Sequence, residues 1–449
     1  MTTLLIANRG EIALRIISTA TELDIDTVAV YSSDEADAPH RDAADIAVAL
    51  PGSGAAAYLD ANAIVDAARD SGADLVHPGY GFLSENADFA QLCTDAGVIF
   101  VGPDPAALRT FGDKAQARAA AVAADVPVLP ATDGVADLKQ VKALFEKHPE
   151  GVMIKAVAGG GGRGMAAVRS SDDLERAYTR CASEALAGFG SPDVFAEALF
   201  GGARHVEVQV VSDGRTALAL GDRDCSVQRR HQKLIEVAPA PDLPGRAAMH
   251  AAATRLCAGI GYRGVATVEF LVKANDFVFI EVNPRIQVEH TITEEVTGVD
   301  LIATQIGLAR GLTLAELDLP QGISSDDRGS EGPPARSHGV AVQSRVNAET
   351  MGSDGTPVAA AGTLTAFTPP SGAGIRVDTF GRPGITVGTR YDSLLAKVIT
   401  RASSHHAAIA KNAAALDSFV IDGLQNNIPL LRAILASPDM HAGAVSTDY

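Results

Sequence analysis

The sequence predicts a multidomain protein of mixed α/β and α+β class, with a parallel α/β domain first, a mixed middle domain and a β-rich C-terminal domain. The chain has 449 residues, which is too long for one ordinary hydrophobic core. Short apolar strands alternate with helical patterns over roughly the first hundred residues, which is typical of a doubly wound parallel sheet. From Val194 onward, strand-like segments dominate. We therefore expect a parallel sheet and a separate, larger set of strands.

Composition and charge restrict the class of protein. The hydrophobic fraction is 47% and the charged fraction is 20%, as in ordinary globular proteins. No segment reaches the roughly 20 apolar residues that span a membrane. The first residues lack the basic start of a signal peptide, so we expect a cytoplasmic protein. The 37 basic and 55 acidic residues give a net charge of −18, which disfavours nucleic acid and anionic membranes as partners.

The four cysteines are Cys93, Cys181, Cys225 and Cys257, and no two of them have metal-ligand or redox spacing. Structural zinc and a disulfide framework are therefore not expected. Cys225 lies among charged residues and could line a site, but a buried structural thiol is favoured.

The N-terminal domain is predicted from four strand patterns and three helix patterns. The strand patterns lie at 4–7, 27–31, 74–77 and 98–101. The helix patterns lie at 12–23, 62–71 and 89–93. The first turn, Asn8–Glu11, lacks the three glycines of a dinucleotide-binding fingerprint, so NAD is not expected.

The middle of the chain begins with an alanine-rich helix after Lys114. Strands at 151–157 and 166–169 flank a run of glycines. Strands dominate from 194 to 280, apart from a helix near 246–259.

The segment 321–338 is polar and rich in Gly, Pro and Ser, which predicts a flexible connection. A β-rich segment at 339–403 and a helix at 407–419 follow it. The connection is therefore a predicted domain boundary.

The glycine run, residues 158–165 (AGGGGRGM), lies between two predicted strands and not before a helix. It is therefore neither a Rossmann turn nor a Walker A loop. Successive glycines let backbone N–H groups converge on one anion, and they let the loop move. With Lys155 upstream, we predict a hinged hairpin tip that closes on ATP phosphates. The alternative is a plain mobile hairpin at the surface.

Two apolar strands, 265–272 and 277–283, are joined by a short turn around Asn275. A turn centred on residue 275 places Glu269 directly opposite Glu281, whereas a centre half a residue away makes them near neighbours. Facing carboxylates repel unless a positive group lies between them. Because Mg²⁺ binds one or two carboxylates together with substrate phosphates, the pair predicts a magnesium site. Exposure of both carboxylates to water is the alternative.

Polar and apolar residues alternate beyond Glu281. The polar members are Asn283, Arg285, Gln287 and Glu289. If the segment stays extended, these side chains share one face. Pro284 cannot donate a ladder hydrogen bond, so regular pairing should end there. Every polar group in the series can bind a metal, an anion or a proton, which favours a site over a solvated strand face.

These residues belong to longer motifs in which the sequence resembles the biotin carboxylases, the ATP-grasp component of biotin-dependent acyl-CoA, pyruvate and related carboxylases. The motifs follow the family order along nearly the whole chain: 6–15 (IANRGEIALR), 77–86 (HPGYGFLSEN), 112–114 (GDK), the glycine run, 204–207 (RHVE), 223–233 (RDCSVQRRHQK) and 283–290 (NPRIQVEH).

The resemblance implies three domains. A Rossmann-like N-terminal domain would cover 1–112, and an ATP-grasp domain would cover 113–322 with a mobile glycine-rich lid at about 128–199. A β-rich C-terminal domain would cover 339–446.

The activity that the resemblance implies is carboxylation of N1 of biotin by bicarbonate, through carboxyphosphate, with ATP converted to ADP and phosphate. This is the first half-reaction of an acyl-CoA-type carboxylase. ATP, Mg²⁺ or Mn²⁺, and biotin are the implied cofactors. No methionine adjoins a lysine, as a biotin attachment motif would require, so biotin is expected on a partner carrier domain or subunit, with a carboxyltransferase as second partner.

Carried over by position, the resemblance assigns four sets of residues. The nucleotide would be contacted by Lys114, Lys155, Gly160, Gly161, Gly162, Glu197, Leu199, His205, Gln228 and His231. Magnesium would be held by Glu269, Glu281 and Asn283. Bicarbonate would be held by Lys233, Arg285, Gln287, Val288 and Glu289. Glu289 would be the general base and Arg345 would stabilise the biotin enolate, which makes Glu289, Arg345, Arg285 and Lys233 the catalytic set.

The sequence also departs from the family pattern. Ala158 replaces one glycine of the usual run, and Ala198 stands where bacterial subunits usually carry Lys. Ser18 replaces an Arg of the bacterial dimer interface, so a homo-oligomer is open to question. The segment 322–338 is longer than the usual connection, and the C-terminal domain is similar to that of fused long-chain-type acyl-CoA carboxylases.

Two other functions remain open from the residues. One is a different carboxyphosphate-forming ATP-grasp ligase, such as carbamoyl-phosphate synthesis. The other is a non-catalytic ATP-binding scaffold.

Overall fold

In the computed structural model of the protein, residues 2–157, 164–320, 322–324, 337–352 and 355–449 are described. Gly160, Gly161 and Gly162, which were assigned to the nucleotide, lie outside these residues, as do Ala158 and most of the connection 322–338.

The N-terminal region is a five-stranded parallel sheet flanked by helices. Its strands are β1 (Thr3–Ile6), β2 (Asp26–Tyr31), β3 (Ile46–Ala49), β4 (Leu75–His77) and β5 (Ile99–Phe100). Its helices are α1 (Gly10–Glu22), α2 (Pro39–Ala43), α3 (Ala61–Asp70), α4 (Ala87–Asp95) and α5 (Pro105–Gly112). The predicted parallel α/β arrangement is confirmed. Strand β3 was missed because it lies at the sheet edge and is largely exposed, so its sequence carries no burial pattern.

The strand order β3-β2-β1-β4-β5 runs outward from β1 in both directions. The order therefore reverses between β1 and β4, which opens a crevice at their carboxyl ends. The loops that follow these two strands, 7–9 and 78–86, begin at this crevice.

A small antiparallel sheet of three strands, in the order β7-β6-β8, follows in the chain. Its strands are β6 (Val152–Ala156), β7 (Met165–Val168) and β8 (Val194–Ala198). The helices around it are α7 (Leu138–Lys147) and α8 (Leu174–Phe189), whereas α6 (Lys114–Ala123) packs against α5 and the nine-stranded sheet described next. The predicted strands on either side of the glycine run are confirmed as an antiparallel pair.

The largest sheet has nine strands, in the order β13-β12-β9-β10-β11-β15-β22-β20, with β14 paired to β10. The strands from the middle of the chain are β9 (Arg204–Asp213), β10 (Ala217–Arg229), β11 (Gln232–Ala238), β12 (Arg263–Lys273), β13 (Asp276–Asn283) and β14 (Ile323–Ser324). The helices of this part are α9 (Arg246–Gly259), α10 (His290–Thr297) and α11 (Leu301–Ala309).

The C-terminal region adds strands to the same sheet and closes it with helices. Its strands are β15 (Val340–Asn347), β16 (Glu349–Met351), β17 (Pro357–Ala359), β18 (Gly362–Thr363), β19 (Ala366–Thr368), β20 (Ile375–Thr379), β21 (Thr386–Val387), β22 (Leu394–Ala402) and β23 (Val420–Asp422). Its helices are α12 (His405–Ser418), α13 (Ile428–Leu435) and α14 (Pro438–Ala442). The antiparallel pairing of β11 with β15, from Ile235–Ser344 to Ala238–Ala341, continues the sheet across the predicted connection.

Apolar side chains cover both parts of this sheet. Met249 and Leu256 of α9 belong to one buried cluster with Phe270 of β12, and Ile409 and Leu416 of α12 belong to a cluster beneath β15 and β22. These contacts fix the strands whose polar residues form the site. Among the described helices, none combines the length and the apolar character that a membrane span needs.

Candidate active site

A cavity of about 930 Å³ lies between the N-terminal crevice, the three-stranded sheet and the nine-stranded sheet. Most of the site residues that the family resemblance predicted line this cavity. They are Lys114, Lys155, Glu197, Leu199, His205, Gln228, His231, Lys233, Glu269, Glu281, Asn283, Arg285, Gln287, Val288 and Arg345. Glu289 does not line it. This carboxylate has no exposed surface and lies behind Lys233 and Arg345.

The acidic hairpin pairs Glu269 directly with Glu281, as predicted. The turn itself differs from the prediction, since Lys273 pairs with Asp276 and the turn is centred between Ala274 and Asn275. A β-bulge beyond Glu269 shifts the register by one residue and restores the facing pair. Direct opposition, one of the two arrangements that the sequence left open, is therefore present, but a bulge and not the position of the turn produces it.

The polar series after Glu281 does not remain extended. Strand β13 ends at Asn283, as Pro284 predicted, but Val288 and Glu289 lie in a turn that leads into α10. The expectation of one continuous polar face to Glu289 is wrong, because pairing ends at Pro284 and the turn at Val288 and Glu289 breaks the extended alternation.

Site residues occupy consecutive strands as cross-strand partners. Glu281 on β13 pairs with Glu269 on β12, which pairs with Glu207 on β9, which pairs with Arg223 on β10. Three neighbouring carboxylates repel one another unless cations lie between them. The cations that meet this requirement are Arg223 of β10, Lys233 of β11 and Lys114 of α6.

Glu289 is held from two sides. Lys233 Nζ lies 2.7 Å from Oε1, and Arg345 Nη2 lies 2.9 Å from Oε2. Burial by itself raises the pKa of Glu289, but Lys233, Arg345 and Arg223 together hold it well below the ordinary value. The carboxylate is therefore ionised at neutral pH.

Lys233 links three carboxylates. Its Nζ lies 2.5 Å from Glu207 Oε2, 3.0 Å from Glu269 Oε1 and 2.7 Å from Glu289 Oε1. Burial lowers the pKa of Lys233, but the three carboxylates outweigh it and raise that pKa well above the ordinary value.

Sequence reasoning missed the residues that hold this arrangement from behind. Arg223 has no exposed surface and donates to Glu207, to Gln209 Oε1 at 2.7 Å and to Thr267 Oγ1 at 2.9 Å. The alternation along β9 could have identified Glu207, since it follows His205 by two residues. No comparable alternation pointed to Arg223, which the sequence marked only as the first residue of the motif 223–233.

Glu236 on β11 was missed as well. Its Oε1 accepts from Arg345 Nε at 2.5 Å, and its Oε2 accepts from Gln343 Nε2 at 2.9 Å. Glu236 and Gln343 are direct cross-strand partners, so the β11–β15 pairing sets the direction of Arg345. We call Glu207, Arg223, Lys233, Glu236, Glu289 and Arg345 the charge centre.

Lys397 holds the turn that carries Glu289. This fully buried side chain, on β22 opposite Arg345, donates from Nζ to the Val288 carbonyl at 3.2 Å. Its Nζ also lies 2.8 Å from Glu11 Oε2 of the N-terminal sheet region. The carbonyl of Val288 is therefore engaged by protein.

Two groups in the described part of the chain bring three metal-ligand atoms within 4.8 Å: His205 with Glu207 and Glu269, and Glu207 with Cys225 and Glu289. Lys233 contacts carboxylates of both groups, so their negative charge is already balanced. Cys225 is buried, in agreement with the prediction of a structural thiol, and burial raises the pKa of that thiol.

The three residues predicted to bind magnesium, Glu269, Glu281 and Asn283, differ from these two buried groups because all three of them line the cavity. Asn283 Nδ2 donates to Glu269 Oε1 at 3.0 Å, and Glu281 is the cross-strand partner of Glu269, so the three residues are neighbours. The Glu281 side chain is 31% exposed, and all three residues line the cavity. Carboxylate and amide oxygens at the cavity wall suit Mg²⁺.

We define the nucleotide end of the cavity by five residues: Lys114, Lys155, Glu197, Glu281 and His231. It contains two ion pairs between described residues of this set. Lys155 pairs with Glu197, and Lys114 Nζ lies 3.5 Å from Glu281 Oε2. His231 lies in the turn between β10 and β11, with a φ of 65°. Burial, Lys155 and His205 lower the pKa of His231.

His205 and Gln228 connect the two ends. His205 Nε2 lies 2.8 Å from Glu269 Oε2, and its Nδ1 lies 2.5 Å from Gln228 Nε2. Burial lowers the pKa of His205, but Glu269 outweighs it, so the pKa of His205 lies above the ordinary value.

A three-stranded sheet facing a nine-stranded sheet, with paired carboxylates and a set of cations between them, defines an ATP-grasp ligase. Three family models together match most of the chain: "Biotin carboxylase, N-terminal domain" at 1–108, "Carbamoyl-phosphate synthase L chain, ATP binding domain" at 113–317 and "Biotin carboxylase C-terminal domain" at 343–449.

Individual relatives agree. The biotin-dependent acyl-coenzyme A carboxylase alpha3 subunit of Mycobacterium leprae is 42% identical over 441 residues, which cover 97% of this chain and 71% of the relative. The biotin carboxylase domain of Hydrogenobacter thermophilus 2-oxoglutarate carboxylase, solved with MgADP and bicarbonate, is 37% identical with a TM-score of 0.92 and covers 100% of this chain and 96% of that one. A single-chain, multi-domain long-chain acyl-CoA carboxylase is 52% identical with a TM-score of 0.89, covering 100% of this chain and 42% of that one.

The chain belongs to the biotin carboxylase family, ATP-dependent ligases that carboxylate biotin and use ATP, Mg²⁺ and biotin. It spans 37% of the length of the pyruvate carboxylases that it also matches.

Proposed function

We propose that this chain carboxylates N1 of biotin, borne by a carrier domain or subunit, with bicarbonate and ATP, through carboxyphosphate. The observation that carries the proposal is the position of Glu289: a buried carboxylate held between Lys233 and Arg345, two cations that line the same cavity as the predicted nucleotide and magnesium residues. A base, an anion-binding cation and an enolate-stabilising cation are the groups that this reaction requires.

Bicarbonate would bind where Arg285, Gln287 and Lys233 meet the cavity, beside the turn at Val288. Arg285 and Lys233 are joined through Asn283 and Glu269, at separations of 3.0–3.1 Å between successive partners. Gln287 Nε2 is buried and has no hydrogen-bond partner in the described part of the chain, so an anion can satisfy it.

Glu289 would take the bicarbonate proton. A bicarbonate ion beside Lys233 and Arg345 competes with Glu289 for their positive charge, which raises the basicity of the carboxylate when substrate is present. Bicarbonate is a weak nucleophile, and loss of its proton strengthens its attack on the γ-phosphate.

Arg345 would then stabilise the negative charge that develops on the ureido oxygen of biotin. Glu236 fixes its Nε side, which leaves the Nη side directed toward Glu289 and the cavity. A pre-oriented cation needs no reorganisation as the charge appears, and this lowers the barrier.

Glu269, Glu281 and Asn283 would hold Mg²⁺, which supplies charge neutralisation for phosphate oxygens when bound. Lys114 and Lys155 would contact the nucleotide phosphates together with His205, Gln228, His231 and the glycines 160–162, while Glu197 and Leu199 would flank the adenine and ribose. Lys155 and Glu197 form an ion pair with each other, and each would replace this contact with one to the nucleotide when it binds.

The proposal keeps the domain limits 1–112, 113–322 and 339–446. The change from a parallel to an antiparallel sheet and the family-model limits support them. A carboxyltransferase partner, an acyl-CoA as final acceptor and a cytoplasmic location belong to the proposal too. The last is supported by four cysteines that are all free and buried.

ATP hydrolysis by the 449-residue chain with free biotin tests this function. We expect turnover to require bicarbonate and biotin. Glu289→Gln should lower it about 100- to 10,000-fold while MgATP binding, measured by calorimetry, is retained. Glu184→Gln, at an exposed pair with Arg180 at 3.7 Å, is the matched control and should leave turnover unchanged.

Hydrolysis that ignores bicarbonate and biotin would contradict the proposal. Ammonia replacing biotin as acceptor would indicate a different carboxyphosphate-forming ligase. MgATP binding without any turnover would indicate a scaffold.

A further inference from the structure

The N-terminal sheet reaches the active site through the loop after β4. This loop, residues 78–86, starts at the crevice between β1 and β4, and its Tyr80, Gly81 and Phe82 line the main cavity. Carboxyl ends of strands at such a reversal are where α/β sheets place functional groups. The loop carries one acidic residue, Glu85, for which the proposed mechanism has no role.

The loop is held in place along its length. Asn8 Nδ2 donates to the Pro78 carbonyl at 2.7 Å and to the Tyr80 carbonyl at 2.8 Å. At the other end, Asn86 Oδ1 accepts from Phe89 N at 2.8 Å and caps α4. The backbone on both sides of Glu85 is therefore fixed, and its carboxylate starts from a defined position.

Glu85 contacts Arg285, 200 residues further along the chain. Its Oε1 accepts the hydrogen bond from Arg285 Nε. The Glu85 side chain is 41% exposed and that of Arg285 is 19% exposed, so this ion pair lies at the edge of the cavity and not in the core.

The remaining contacts of Arg285 come from its own segment. Nη1 donates to the Ile286 carbonyl at 3.1 Å and to Gln287 Oε1 at 3.2 Å, and Nη2 donates to Asn283 Oδ1 at 3.1 Å. Four of the five N–H donors of a guanidinium are then engaged. Within the described residues, the second proton of Nη2 has no acceptor, which leaves one defined donor for a ligand.

We propose that Glu85 is a positioning residue that fixes the guanidinium of Arg285 so that this Nη2 donor faces the bicarbonate. The inference rests on the proposed function, in which Arg285 holds bicarbonate. Among the described residues, Glu85 is the hydrogen-bond partner of Arg285 from outside the segment 283–287, and the other partners move with Arg285 if the segment moves. The N-terminal domain thereby sets the affinity of a subsite on the nine-stranded sheet.

Electrostatics alone predicts the opposite effect. A carboxylate beside an anion subsite repels the anion, so its removal would strengthen bicarbonate binding. Positioning predicts weaker binding after the same change. The sign of the change in bicarbonate KM therefore separates the two roles.

Three variants of the 449-residue chain test the proposal: Glu85→Ala, Glu85→Gln and, as the matched control, Asp88→Ala. Gln keeps an oxygen acceptor at the same reach and removes only the charge. Asp88 forms an exposed pair with Arg109 at 3.1 Å on the neighbouring helices and does not line the cavity. KM for bicarbonate, KM for ATP and the thermal midpoint are measured for each, with free biotin as acceptor.

We expect Glu85→Ala to raise the bicarbonate KM about tenfold, the effect of losing a hydrogen bond to a charged group. Glu85→Gln should stay within about threefold of wild type, and Asp88→Ala within about twofold. The ATP KM and the thermal midpoint should be unchanged in all three variants.

A bicarbonate KM that stays constant or falls in Glu85→Ala overturns the inference, and so does an equal rise in both KM values. Equal damage from Gln and Ala also overturns it, since Gln retains the acceptor. A wild-type chain that hydrolyses ATP regardless of bicarbonate refutes the proposed function and this inference together. If ATP hydrolysis by the wild-type chain depends on bicarbonate but Glu85→Ala leaves the bicarbonate KM unchanged, only the inference about Glu85 is refuted.

Discussion

The charge centre and the nucleotide end lie in one cavity but are built differently. In the charge centre, Glu207, Glu236 and Glu289 are fully buried, and their oxygen atoms contact cations or an amide carried by β10, β11 and β15. At the nucleotide end, Lys114 is 18% exposed, Glu281 is 31% exposed, and their charged atoms lie 3.5 Å apart.

The difference shows which contacts a ligand can replace. A buried charge that loses its partner is costly, so the charge centre has to keep its internal pairs. A partly exposed pair costs little to break, so Lys114 and Glu281 can exchange each other for phosphate and metal. The same cavity therefore combines a preorganised acid–base centre with an adaptable binding surface.

The largest expected effect comes from removing a cation of the charge centre. Arg223→Met leaves Glu207 with Lys233 alone in a fully buried position and should lower the free energy of unfolding by about 3–5 kcal/mol. Urea denaturation measures the change. Arg109→Met, which breaks the exposed pair with Asp88, is the control and should cost about 0–1 kcal/mol. Similar losses in both variants would erase the distinction between the two regions.

A smaller effect is expected at the nucleotide end. Lys155→Met should raise the KM for ATP about tenfold, the effect of one lost charge-assisted contact, and leave the KM for bicarbonate unchanged. Its stability loss should be less than that of Arg223→Met, because the side chains of Lys155 and Glu197 are 11% and 8% exposed whereas those of Arg223 and Glu207 have no exposed surface. Steady-state kinetics with either substrate varied checks this. A parallel rise in both KM values would show that the two ends are not independent.

A third expected effect concerns acid. The pKa of Glu289 lies well below its ordinary value, so the charge centre keeps its carboxylate ionised as pH falls. Burial lowers the pKa of His40 to about 4 and that of His77 to about 3, both in the N-terminal region. Between the unfolded value near 6.5 and these folded values, the unfolded chain binds more protons, so stability falls with falling pH.

Each of the two histidines should contribute about 1.4 kcal/mol per pH unit in that window. Urea unfolding at pH 7, 6, 5 and 4 measures the slope. In His40→Gln the dependence of the unfolding free energy on pH should decrease by the contribution of one histidine, about 1.4 kcal/mol per pH unit. An unchanged slope in this variant would place the acid sensitivity elsewhere.

Local sequence patterns predicted most of the fold. The first two strands of the parallel sheet, the helix at 246–259 and the hairpin of β12 and β13 all follow from apolar periodicity and turn residues. Strand β3 escaped prediction because an exposed edge strand has no buried face to mark it.

The site was predictable in part for a similar reason. Glu269, Glu281 and Asn283 lie on one hairpin, so alternation alone brought them together. Arg345 pairs with Glu289 and Glu236, and Arg223 pairs with Glu207. These contacts depend on the order of the strands in the sheet, which no local sequence pattern records. Glu85 and Arg285 are 200 residues apart, and only the packing of the N-terminal crevice against the large sheet joins them.

By itself, the sequence determined most of the secondary structure, the presence of Glu269 and Glu281 on one hairpin and, through its motifs, the family. Tertiary structure alone decided that Glu289 is buried behind Lys233 and Arg345, and that a β-bulge and not the turn aligns Glu269 with Glu281. Periodicity reports which side chains share a face of one element. Which elements become neighbours depends on the packing of whole sheets, and that packing sets the burial and the pKa values on which the proposed chemistry depends.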